Sequence, residues 1–147
     1  MQIWVDADAC PTVIRELLIK ASQRTLVPLT FVANQHISVP TNAHITSVQV
    51  SAGFDVADDE IVKRCIANDL IITDDIPLAA EILAKDGLAV NFRGVAYDKA
   101  TIKATLTMRD FMDQIRASGE RTGGPKSFSA KDKMNFANQI DRILAGR

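Results

Sequence analysis

The sequence predicts an α/β fold: a three-layer, mostly parallel five-stranded sheet with flanking helices, followed by a C-terminal helical appendage. Three observations carry this expectation. Short apolar runs alternate with stretches of helical periodicity as far as residue 91, which implies right-handed crossovers and parallel strands. The pattern then changes at Asp98, after which only helical stretches follow. The length of 147 residues suits one domain, 1–147, with a real core; residues 98–147 form its basic helical appendage.

Residues 2–5 open the chain as a short buried strand. Pro11 suits the start of a helix, where its missing N–H costs nothing. Val13, Ile14, Leu17, Leu18 and Ala21 then recur at helical spacing. Residues 29–33 are apolar and β-rich and give the second strand; 34–42 are polar and read as a loop. Residues 45–50 alternate and give the third strand, with a turn at Gly53. Residues 56–68 carry apolar positions at 57, 61, 62, 65 and 66, which suits a helix packed on the sheet. The fourth strand is 70–73, followed by a helix at 77–85 that Asp86-Gly87 ends. Residues 88–91 supply the fifth strand. The last two helices are expected at 99–117 and 129–145, with Ser129 as an N-cap.

Composition narrows the class of function. The chain is 47% hydrophobic and 24% charged, ordinary for a soluble globular protein. Residues 1–98 hold 7 basic and 13 acidic residues, net −6; residues 99–147 hold 10 and 5, net +5. An acidic sheet region joined to a basic tail is the charge pattern of a metal site beside a phosphate-binding surface. No apolar run approaches a membrane span, and the first residues lack the basic and apolar regions of a signal peptide. Cys10 and Cys65 lack metal-ligand spacing, so a reduced, cytoplasmic protein with no membrane partner is expected. The oligomeric state is left open.

Three acidic groups fall at strand ends or on the helix beside them. Asp6 and Asp8 follow the first strand, Asp55, Asp58 and Asp59 open the middle helix, and Asp74 and Asp75 follow the fourth strand. A parallel sheet gathers its strand carboxyl ends at one edge, where ligands bind. Like charges gathered there need a proton or a cation between them, and hard oxygen ligands suit Mg²⁺ or Mn²⁺. All seven are therefore candidate metal ligands, pointing to a metal-dependent phosphodiesterase. Asp8, the middle-helix acids and Asp75 can equally be helix caps. Arg121, Thr122, Gly123, Gly124 and Lys126 form the second candidate, because glycines let backbone approach a phosphate while the cations supply charge. Arg109 and Arg116 share a helix face and extend that basic surface. Cys10 precedes a helix N-terminus, which favours a thiolate, but the neighbouring acids oppose one.

The stretches 3–11, 32–35, 53–58, 76–79 and 121–125 together resemble the bacterial YaiI/YqxD family over nearly the whole chain. The resemblance implies a fold grouped with PIN-like nuclease domains. Those hold Mg²⁺ or Mn²⁺ with acids after the first strand, in a middle helix and after the fourth strand. Carried over, the roles fall on Asp6, on Asp55 or Asp58, and on Asp74 or Asp75. Here the middle position offers several Asp in place of one clear Glu.

The leading expectation is thus a Mg²⁺/Mn²⁺-dependent nuclease with Asp6, Asp58 and Asp75 as catalytic ligands. RNA is favoured over DNA through that analogy. The alternatives are a nucleic-acid- or protein-binding module without catalysis, and a haloacid-dehalogenase-like phosphatase built on Asp6-Ala7-Asp8.

Overall fold

The computed structural model describes residues 1–53, 55–108 and 128–146. Five strands run β1 (Ile3–Asp6), β2 (Leu29–Ala33), β3 (Ile45–Gln49), β4 (Leu70–Ile72) and β5 (Leu88–Val90). They form one sheet in the order β3-β2-β1-β4-β5, and every pairing is parallel. The expected sheet was only mostly parallel; among the described residues the one antiparallel contact is an isolated bridge from Val90, at the end of β5, to Ala96.

Helices cover both faces. Strand side chains alternate, so β1 sends Ile3 and Val5 to one core and Trp4 to the other. On the first face lie α1 (Thr12–Thr25) and α5 (Ala130–Ala145), which bury Ile14 and Leu18, and Phe136, Ile140 and Leu144. On the second lie α2 (Val56–Arg64) and α3 (Ile76–Ala84), which bury Ile61, and Leu78, Ala79 and Ile82. Residues 102–108 are helical (α4), and Ile102 packs against this second core. The C-terminal helix is thus a structural part of the α1 layer. Its start is fixed by a capping box between Ser129 and Asp132, as Ser129 promised.

Several strand and helix ends differ from expectation by one residue, and two differences bear on the site. The middle helix stops at Arg64, short of residue 68. Cys65 is extended and Asn68 takes a left-handed conformation, while the Lys85 ammonium donates to the freed carbonyls of Val62 and Cys65. The turn then delivers Asp69, buried at the start of β4. Its carboxylate accepts from the Gln2 N–H, the Trp4 indole and the Ile66 N–H. The second is at β1, which runs to Asp6, one residue past the expected 2–5. Asp8 lies beyond the pleat and does not share a strand face with Asp6.

The strand order places the site. From β1 the chain winds outward to β2 and β3, and from β3 it crosses back to β4 and β5. The direction reverses between β1 and β4, and the crevice beyond their carboxyl ends is where such sheets bind ligands.

Candidate functional site: an acidic crevice at the sheet edge

Asp6 ends β1 and follows Val5 in the pleat, so it points with Trp4 toward the α2/α3 face. Val5 pairs with Ile72, which makes Thr73 its neighbour one step on. The fully buried Thr73 hydroxyl donates to Asp6 Oδ2 at 2.9 Å and accepts from the Asp75 N–H at 2.9 Å. Burial raises the pKa of Asp6; the Thr73 hydrogen bond opposes this, and Asp75, Asp8 and Asp74 add to it.

Asp75 is the N-cap of α3, where its Oδ1 accepts from the Leu78 N–H at 2.9 Å. The functional and capping readings of this residue therefore coexist. Asp58 stands on α2, on the face it shares with Ile61 and Val62, and is carried inward by their packing. Its pKa is pushed up to about 7 by burial, by the charges of Asp75 and Asp6, and by a side-chain hydrogen bond with Asp75. Asp6, Asp58 and Asp75 thus come together from three elements, close enough for each charge to act on the others.

A crevice of about 290 Å³ opens beside them, lined by Asp55, Asp58, Asp59, Asp75, Pro77, Leu78 and Glu81. Asp55 precedes α2 in a left-handed conformation and offers no side-chain cap. Asp59 lines the crevice and is exposed. Glu81 was not singled out from the sequence; helical spacing from Pro77 and Leu78 brings it to the same wall.

The remaining acids serve loops. Asp8 is exposed and receives the Asn34 N–H on both oxygens, at 2.9 and 3.2 Å. It ties the end of β1 to the end of β2 and does not join Asp6 on a common partner. Asp74 is exposed and accepts from the Phe92 N–H at 2.9 Å. Tyr97, the one tyrosine of the chain, donates its hydroxyl to the Thr73 carbonyl at 3.2 Å. Burial, with Asp74 and Asp75 nearby, keeps that phenol protonated. The sequence offered no signal for Tyr97 beyond its solitude.

The donor chemistry of the crevice fits a hard divalent cation, since all its ligands are carboxylate oxygens. Its grouping is more open than a closed cage. Among the described residues, no three His, Cys, Asp or Glu side chains are assembled so as to hold a metal ion. Cys10 is buried with its thiol pushed up to about 12 by that burial, so it is no thiolate. Arg121, Thr122, Gly123, Gly124 and Lys126, with Arg109 and Arg116, lie outside the described residues. Among the described residues, no helix is long and apolar enough to cross a membrane.

Comparison with known proteins extends the picture along the whole chain. The profile of the family described as "Uncharacterized BCR, YaiI/YqxD family" matches residues 4–146. A UPF0178 protein of Thioalkalivibrio sulfidiphilus is 61% identical over 147 residues, covering 100% of both chains. One from Pseudoalteromonas atlantica is 58% identical over 147 residues, also covering 100% of both. One from Vibrio cholerae is 60% identical over 147 residues, covering 100% of this chain and 99% of its own. The acidic crevice therefore sits in a chain that belongs to the YaiI/YqxD family.

Proposed function

We propose that the protein is a hydrolase of phosphodiester bonds that works at the acidic crevice, with Mg²⁺ or Mn²⁺ as cofactor and RNA as the favoured substrate. The observation that carries this is the meeting of Asp6, Asp58 and Asp75 at the topological switch point, with Asp58 pushed up to about 7. Like charges gathered there oppose folding, and an acid shifted that far in a crevice is a candidate for a working site.

The open grouping is compatible with this reading. Mg²⁺ commonly binds through one or two carboxylates, several waters and the substrate's own phosphate oxygens. Asp6 and Asp75 are the residues that would hold it. Such an ion lowers the pKa of a bound water and offsets charge on the phosphate. Asp58 is suited to general acid–base work at neutral pH, because its pKa of about 7 lets it exchange a proton there. The resemblance to PIN-like nucleases supports the same assignment by analogy of arrangement. The basic stretch Arg121–Lys126 would contact substrate phosphates.

One observation favours a second reading, a binding module without catalysis. Asp75, Asp8 and Asp74 each have a structural partner, in Leu78, Asn34 and Phe92. The test is incubation with labelled single-stranded RNA and structured DNA, with Mn²⁺ or EDTA, beside Asp6→Asn. Cleavage that needs Mn²⁺ and disappears in the variant upholds the hydrolase. Equal inactivity of both on every substrate refutes it. Retained RNA binding lost on replacing Arg121 and Lys126 would then establish the binding module.

A further inference from the structure

We infer that Thr73 is a positioning residue that sets the orientation of the Asp6 carboxylate, and that Thr73 and Tyr97 form a built support behind the crevice. The inference rests on the reading of that crevice as the working site and adds what holds its geometry.

The argument is a count of hydrogen-bond capacity. A threonine hydroxyl has one proton to give. The Asp75 N–H, which has only donor character, points at Thr73 Oγ1 at 2.9 Å, so the hydroxyl is an acceptor there. Its one proton is then directed to Asp6 Oδ2, also at 2.9 Å. Asp6 Oδ2 must accept, which leaves Oδ1 as the oxygen free of this bond. One hydroxyl thereby fixes two of the three acids relative to each other: the Asp6 carboxylate through its side chain and Asp75 through its backbone.

Thr73 itself has no latitude. It is fully buried, its N–H donates to the Val90 carbonyl at 3.0 Å, and its carbonyl accepts from the Tyr97 hydroxyl at 3.2 Å. Tyr97 is held in turn by its own N–H on the Ala89 carbonyl at 2.9 Å. The brace runs from β5 through Tyr97 and Thr73 to Asp6, and its members lie behind the acids. Such outer partners of ligating carboxylates are worth on the order of 10–100-fold in metal affinity.

The experiment is calorimetric titration of MnCl₂ into the wild type, Thr73→Val, Thr73→Ser and Asp6→Asn, with thermal melts to certify folding. Valine keeps the shape and removes the hydroxyl; serine keeps the hydroxyl. The expected result is Mn²⁺ binding weakened by about 10-fold or more in Thr73→Val and within about 3-fold of wild type in Thr73→Ser. Should Thr73→Val not fold, Thr73→Ala removes the same hydroxyl with less crowding and takes its place. Wild-type affinity in the hydroxyl-free variant, with affinity lost in Asp6→Asn, overturns the inference while leaving the cation site standing. If the wild type binds no Mn²⁺, the cation reading falls instead. The inference is then decided by a crystal structure of the hydroxyl-free variant: an unmoved Asp6 carboxylate overturns it, and a rotated one upholds it.

Discussion

Asp58→Asn is expected to make the protein more stable at neutral and alkaline pH and, under the proposed function, to abolish hydrolysis. The Asp58 pKa rises from 3.8 to about 7 on folding, through burial and the nearby charges of Asp75 and Asp6. A raised acid binds its proton more tightly in the folded chain. Its favourable contribution is therefore fully present below pH 3.8 and is lost as pH climbs through about 7. At about 1.36 kcal/mol per tenfold, that displacement corresponds to roughly 4 kcal/mol; the carboxyl is partly solvated, and screening reduces it to about 1–2 kcal/mol. Asparagine has no charge to lose and can donate an N–H to Asp75 at every pH. Melting curves of both proteins from pH 3.5 to 8.5 measure the effect. The variant should melt roughly 3–6 °C higher at pH 8, with the gap closing toward pH 3.5. Equal melting points at pH 8, or a gap that does not change with pH, would refute the claim that Asp58 is held against electrostatic strain.

Other parts of the chain give sharper structural tests. Asp69→Ala leaves the Trp4 indole and the N–H groups of Gln2 and Ile66 without their acceptor, at a cost of about 3–5 kcal/mol. Urea unfolding followed by the fluorescence of Trp4, the only tryptophan, reads that loss directly. Gly94→Ala should cost about 2–3 kcal/mol and loosen α5, since Gly94 sits at φ +85° and a Cβ there would lie 2.6 Å from the Asn135–Phe136 backbone. Slower proteolysis of α5 in the variant than in the wild type would contradict this. Ser129→Ala removes one arm of the capping box and should lower stability by about 1 kcal/mol in denaturant unfolding. Cys10 and Cys65, both buried with raised thiol pKa values, should react with a thiol reagent only after denaturation.

The fold was legible because its signals are local and repeated. The runs at 29–33 and 45–50 are β-rich, and the structure has strands there, the second ending one residue earlier at Gln49. Where a helix ends depends on tertiary partners. The apolar positions 65 and 66 invited a helix running to 68, yet Cys65 is extended and buried while Ile66 is 68% exposed. Lys85, twenty residues away, completes that end, and no local pattern announces it. The same limit hid the work of Asp69, an acid just before β4 whose three donors are the Gln2 and Ile66 N–H groups and the Trp4 indole.

At the crevice, the sequence showed which acids were available, and topology decided which ones meet. The period of two along a strand predicts that Asp6 and Asp8 share a face, but it holds only while the strand continues. The chain turns after Asp6, so Asp8 is left to the Asn34 N–H. Among Asp55, Asp58 and Asp59 the choice follows from the helix: the residue on the face of Ile61 and Val62 goes inward, and that is Asp58. Of Asp74 and Asp75, the one whose backbone bonds to Thr73 remains at the sheet edge, and the other reaches sideways to Phe92. Each selection is made by a neutral group, whether apolar packing, a hydroxyl or a backbone N–H. A search for charge finds the acids and passes over the groups that aim them. Thr73 and Tyr97 belong to that second kind, which is why substitutions there test the site's construction separately from its charge.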